Sequence, residues 1–168
     1  VARHEAERTL LPTLDHLEDR RFDGIPGISH RNVAGEVVCN PGKPLIEDLD
    51  ELPMPAYDVY PIAEMISKLN FEKIPVEAGR GCPFSCSFCS TATFFGRRYR
   101  LKSAARLVTE MDHLHNTYGF TRFSLTHDLF TVNRKKILEF CEVVGDRNYR
   151  WGCSARVDCV DEELMRAM

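Results

Sequence analysis

The chain changes its pattern of apolar and polar positions twice. Over residues 4–19, Leu10, Leu14 and Leu17 recur at helical spacing among acids and bases, which predicts a helix. Pro12 inside it predicts a first turn or a kink. A turn-rich exit follows over 22–27. Two short extended runs, 28–31 and 36–39, flank Asn32-Val33-Ala34-Gly35 and predict a β-hairpin. Five prolines (Pro41, Pro44, Pro53, Pro55, Pro61) then disfavour helix and sheet. Residues 1–39 therefore read as one domain's tail, and residues 40–72 as an ordered linker holding the boundary.

From residue 73 strand and helix patterns alternate. Residues 73–78 are a short strand candidate. Ser103 caps a helix whose apolar stripe is Leu107, Val108, Met111 and Leu114, and Gly119 ends it. Residues 120–128 form a second strand. Asn133 caps a helix with Ile137, Leu138, Cys141 and Val144 as its stripe and Gly145 as its stop. Residues 149–157 form a third strand, with Trp151, Cys153, Ala155 and Val157 on one face. Asp161 starts a last helix, where Val160 and Met165 are candidates for a hydrophobic staple. Three successive βα units over 73–168 predict parallel strands joined by right-handed crossovers. That is an α/β fold, half or less of a TIM-like (β/α) barrel, in which chemistry sits at the C-terminal strand ends.

Composition excludes some functions without choosing one. The 168 residues are 43% hydrophobic and 28% charged, with a formal net charge of -3, so no global charge draws nucleic acid. No apolar run approaches the roughly 20 residues of a membrane span. Seven cysteines, an odd number with no secretory segment before them, argue against a disulfide framework and for reduced thiols in the cytoplasm. The chain starts at Val1 and stops at Met168 within a helical pattern, as expected of a piece of a longer protein.

The chemistry concentrates in Gly79-Arg80-Gly81-Cys82-Pro83-Phe84-Ser85-Cys86-Ser87-Phe88-Cys89-Ser90. Cys82, Cys86 and Cys89 are three soft ligands spaced C-x3-C-x2-C, able to converge on one metal centre. The flanking glycines let the backbone fold closely there. Three ligands are one short of a closed tetrahedral site. The array either borrows a fourth, Cys153, Cys159 or a His, as in a structural zinc site, or leaves a metal position open for chemistry.

This spacing, with its Arg-Gly lead-in and with Phe88 before the third cysteine, resembles the cluster loop of the radical S-adenosylmethionine (SAM) superfamily. Further stretches resemble the subgroup with an N-terminal cobalamin-binding domain. Residues 5–10 look like the end of that domain, residues 48–57 like the family linker, and residues 128–133 and 151–158 like the ends of the second and third barrel strands. The resemblance implies that Cys82, Cys86 and Cys89 hold a 4Fe-4S cluster whose fourth iron binds SAM. One electron then cleaves SAM to a 5'-deoxyadenosyl radical, which abstracts hydrogen from a small-molecule or peptide substrate. It implies an external donor of the flavodoxin or ferredoxin type. It also implies cobalamin, bound upstream of this chain, and with it methyl transfer. Two alternatives are a tRNA methylthiotransferase-like enzyme without cobalamin and a non-catalytic zinc-binding module.

The resemblance places Phe88 beside the adenine end of SAM and the SAM amino group near Thr126, His127 and Asp128, with Asp128 favoured because an ammonium needs acceptors. Arg156 is a partner for the SAM carboxylate or for a salt bridge with Asp128 or Asp158. His127 is a candidate acid or base. Arg97-Arg98-Tyr99-Arg100-Leu101-Lys102 is the one basic cluster, either a single-stranded RNA contact or a solvated, internally paired segment. Cys39, Cys141, Cys153 and Cys159 read as packing residues.

Overall fold

The computed structural model describes residues 1–69 and 71–168. They form two compact units, Val1–Glu47 and Asp48–Met168. The proline-rich segment is thus divided: its start folds into the first unit and the rest into the second.

In the first unit, helix α1 spans Glu7–Asp15, shorter than the expected 4–19. The predicted hairpin forms as β1 (Ser29–Arg31) and β2 (Val37–Cys39), antiparallel, with Ser29 opposite Cys39. Asn32 shapes its turn by accepting from the amides of Ala34 and Glu36 through one side-chain oxygen. The buried Glu5 carboxylate accepts from the Ile46 amide at 2.7 Å. Asn40 donates to the carbonyls of Phe22 and Ile25. These polar ties draw residues 40–46 onto the unit. The leucine stripe is not an inward face: Leu10, Leu14 and Leu17 stay 53, 50 and 57% exposed. Thr9 is the helix residue that is buried, with its hydroxyl donating to the Pro26 carbonyl.

In the second unit the linker expectation needs correction. Residues 62–69 form helix α2 (Ile62–Leu69). Pro61 does not prevent it, because a proline at a helix start loses no hydrogen bond and has its φ already set; its carbonyl accepts from the Met65 amide. The Asp50 side chain in turn accepts from the Ser103 amide, so this part of the segment is fastened to the α/β unit.

Strands β3 (Ile74–Glu77), β6 (Arg122–Thr126) and β7 (Arg150–Cys153) make a three-stranded parallel sheet in the order β3-β6-β7. Glu77 lies opposite Thr126, and Leu125 opposite Cys153. Between β3 and β6 the chain forms a two-residue ladder, β4 (Gly79–Arg80) with β5 (Arg100–Leu101), and short helix α3 (Thr91–Phe95). Helix α4 (Ala104–Tyr118) returns the chain to β6, α5 (Arg134–Val144) leads to β7, and α6 (Glu162–Ala167) follows. Pro75 is tolerated because β3 lies at the sheet's edge. The three expected caps form: Ser103, Asn133 and Asp161 accept from the amides of Arg106, Lys136 and Leu164. Gly119 closes α4 left-handed at φ 79, whereas Gly145 stays right-handed.

Alternation decides which sheet face is covered. Ile74, Val76, Phe123 and Leu125 point to the helices and are buried, with Met111, Leu114, Ile137, Phe140 and Leu164 against them. The other face carries Glu77, Ser124, Thr126 and Gly152, half-buried or exposed. This is the expected arc of a (β/α) arrangement. The third strand is shorter than the predicted 149–157, because the chain leaves the sheet after Cys153 and residues 157–159 coil into a single turn. Ala155 and Val157 are therefore exposed rather than on a packed face.

The basic cluster comes apart. Lys102 is buried and its ammonium meets both oxygens of the buried Glu110 at 2.9 and 3.0 Å, while Arg106 binds the same carboxylate at 2.7 Å. Arg100 is buried with its guanidinium 5.5 Å from the Phe95 ring centre. Two of the four cations of the cluster thus serve the interior, where an RNA strand has no access to them. Removing one partner of a buried ion pair leaves the other charge desolvated and uncompensated. Glu110→Ala is accordingly expected to lower unfolding stability by about 3–5 kcal/mol, measured by urea denaturation.

Candidate functional site

The cysteine loop leaves the sheet at the C-terminal end of β3, where barrel chemistry is expected. It opens and closes against the β4–β5 ladder. Gly81 has φ +81, and a Cβ there would overlap the Arg98 carbonyl; at Gly79 it would overlap the Arg100 carbonyl. Glycine at both positions lets the two backbones approach. Cys82 and Cys86 are half-buried, Cys89 is exposed, and all three are free thiols.

Two side chains from the neighbouring strand ends hold this loop. Asp128, just beyond β6, accepts from the Gly81 amide through Oδ2 at 2.9 Å and from the Thr91 hydroxyl through Oδ1 at 3.0 Å. One carboxylate thereby ties residues on either side of all three cysteines. Arg156, beyond β7, donates from Nη1 to Cys86 Sγ at 3.5 Å and lies 4.1 Å from the centre of the Phe84 ring. Its Nε and Nη2 bind Asp158 at 2.9 and 2.7 Å, and this pairing holds the guanidinium above its ordinary pKa. Of the two expected roles for Arg156, the salt bridge with Asp158 is thus present.

Phe88 is 91% exposed at the loop tip. His127 is buried, edge-on to Tyr99, and its Nδ1 accepts from the Leu129 amide at 2.7 Å. Burial lowers its pKa. It shapes the turn after β6. An open cavity of about 390 Å³ lies beside the loop, lined by Glu77, Gly79, Arg80, Phe95, Thr126, His127 and Asp128. The Glu77 carboxylate in it receives Arg80 at 2.8 and 3.1 Å.

The donor set fits an iron–sulfur cube. Among the described residues no three His, Cys, Asp or Glu side chains are placed to share one metal ion. A cube asks for less convergence, because each thiolate takes a different iron. Three free thiols on one glycine-framed loop provide that. The loop also helps one of its thiols ionise. Hydrogen bonding from the Thr91 hydroxyl, whose one proton is shared with Asp128, and then from the Thr91 amide lowers the pKa of Cys89, against some desolvation and the Asp128 charge. Burial instead pushes Cys153 up to about 11.

Sequence reasoning missed Thr91 and Phe84 as supports of the loop. Thr91 stood two residues after Cys89, at the start of a helix, where a hydroxyl near a thiolate was readable. Nothing in the spacing connected Phe84 or Cys86 with Arg156, 70 residues on.

Successive parallel βα units with a three-cysteine loop after the first strand define a radical SAM-type partial barrel. No family model matches the chain. It is 34% identical over 174 residues to an uncharacterized methyltransferase of Pyrococcus horikoshii, covering 100% of this chain and 37% of that protein. It is 32% identical over 180 residues to an anaerobic magnesium-protoporphyrin IX monomethyl ester cyclase of Rubrivivax gelatinosus, covering 98% and 31%. In fold it is similar to the cobalamin-dependent SAM radical enzyme OxsB solved with aqua-cobalamin and SAM bound, with a TM-score of 0.74 and 24% identity over 95% of this chain and 23% of that one. It is also similar to the radical SAM methyltransferase TsrM of Kitasatospora setae solved with cobalamin and a 4Fe-4S cluster, with a TM-score of 0.67 and 18% identity over 99% and 35%. By sequence the chain is a relative of these methyltransferases and cyclases, and its fold is similar to that of the cobalamin-dependent radical SAM enzymes. It spans about a third of the length of the curated relatives it matches.

The difference between the thiols is measurable in metal-free protein. At mildly alkaline pH, iodoacetamide is expected to modify Cys89 well before Cys153, and Thr91→Val is expected to slow Cys89 alone. Timed alkylation with peptide mass spectrometry reads both rates.

Proposed function

We propose that this chain is the cluster-bearing part of a radical SAM enzyme that modifies a small molecule or peptide, with cobalamin-dependent methyl transfer as the reaction. The observation that carries the reading is that residues following two different parallel strands, Asp128 after β6 and Arg156 after β7, both grip the cysteine loop that follows β3. A loop held from three strand ends is a built site rather than a surface turn.

Cys82, Cys86 and Cys89 would hold the 4Fe-4S cluster as thiolates. Bound there, such a cluster supplies the electron that cleaves SAM to the hydrogen-abstracting 5'-deoxyadenosyl radical. The protein's own work is to bind, orient and shield. Asp128 retains lone pairs beyond those used by Gly81 and Thr91, which suits it to the SAM ammonium. Phe88, exposed on the loop, offers a flat apolar surface to the adenine end. Arg156, expected at the SAM carboxylate, already commits its Nε–Nη2 edge to Asp158. The polar sheet face, with Ser124 and Gly152 leaving room, would receive the substrate. Methyl transfer is supported by the relatives described as methyltransferases. Among the described residues no helix is long and apolar enough to cross a membrane. A cytoplasmic setting, with an electron-transfer protein of the flavodoxin or ferredoxin type as donor, belongs to the same proposal.

Anaerobically reconstituted protein is expected to carry iron and sulfide with absorbance characteristic of thiolate-ligated iron. Cys86→Ala is expected to lose the iron and SAM cleavage while keeping its far-UV circular dichroism. Stoichiometric zinc without iron in the parent protein would instead establish the zinc-binding module.

A further inference from the structure

Three contacts fix the Arg156 guanidinium in one pose. Asp158 takes its Nε–Nη2 edge, the ring of Phe84 takes its face, and Nη1 is left aimed at Cys86 Sγ. A guanidinium is planar and rigid, so holding one edge sets the direction of the remaining nitrogen. Phe84 and Cys86 are two residues apart on the same loop, which makes the contact a clamp on the loop rather than a chance approach. The side chain is 39% exposed, so the fold does not depend on it.

Resting on the reading of Cys86 as a cluster ligand, we infer that Arg156 is a positioning residue for the cluster, which orients Cys86 and raises the cluster's reduction potential through a charged N–H···S contact. Hydrogen bonds to the sulfurs and local charge are the levers by which a protein sets that potential. Reduction adds negative charge that spreads onto the ligand sulfurs. A cation at 3.5 Å from one of them stabilises the reduced form more than the oxidised one. Asp128 brings the opposite charge to the other side of the loop, where it accepts from the Gly81 amide and the Thr91 hydroxyl. The loop is therefore held between one anion and one cation, each from a different strand end.

The test compares reconstituted parent protein with Arg156→Gln and Arg156→Lys, by iron content, by redox titration followed by electron paramagnetic resonance, and by SAM affinity. The expected result is a midpoint in Arg156→Gln lowered by about tenfold in the reduction equilibrium constant, ~59 mV for one electron, with SAM affinity unchanged and most of the shift restored in Arg156→Lys. A midpoint unchanged or raised in Arg156→Gln overturns the inference; a simultaneous fall in SAM affinity would make Arg156 the partner of the SAM carboxylate. Should Arg156→Gln assemble no cluster, parental iron content in Arg156→Lys supports the positioning role, and an equally empty Arg156→Lys overturns it. Absence of iron from the parent protein is a separate result, which removes the cluster reading and this inference with it.

Discussion

The Asp128 carboxylate is the tie on which the candidate site depends. The ten residues 81–90, rich in proline and serine, have no helix or strand of their own to hold three thiols in place. Ordering such a segment is opposed by about 1–2 kcal/mol of backbone entropy per residue. Asp128 reduces the freedom that remains by accepting from the Gly81 amide at one end and the Thr91 hydroxyl at the other. The bond to Gly81 works only because that residue sits at φ +81 against the Arg98 carbonyl. Carboxylate, glycine turn and β4–β5 ladder are therefore one device.

The rest of the second unit keeps Asp128 where it must be. Parallel pairing of β3 with β6 sets Glu77 opposite Thr126 and so brings the chain ends beyond them side by side. Burial of Val76, Phe123 and Leu125 under α4 and α5 makes that register costly to shift, since a one-residue slip would turn these side chains to the polar face. The buried Lys102–Glu110 pair, joined by the half-buried Arg106, anchors the chain where β5 passes into α4. Fold and site are thus coupled through register: the apolar face fixes the strands, and the strands fix where their polar ends meet.

Charge around the loop is balanced. Asp128 stands by Cys89 and Arg156 by Cys86, and each is partly satisfied by other groups. An excess of either sign beside three thiols would change how readily they ionise.

Much of this was legible without coordinates, for local reasons. Helix stripes, caps at Ser103, Asn133 and Asp161, and the glycine-framed cysteine spacing depend on residues a few positions apart, and the chain's chemistry declares them. The same logic failed where distant partners override local preference. Pro61 began a helix rather than preventing one, the leucines of α1 stayed exposed while Thr9 was buried, and the third strand ended at Cys153 where its apolar alternation continued. The sequence by itself determined that three closely spaced thiols lie after a strand, because residue type and spacing are local properties. Only the tertiary structure decided that Asp128 and Arg156 hold those residues, because contacts spanning 47 and 70 positions arise from strand register, which no local pattern encodes.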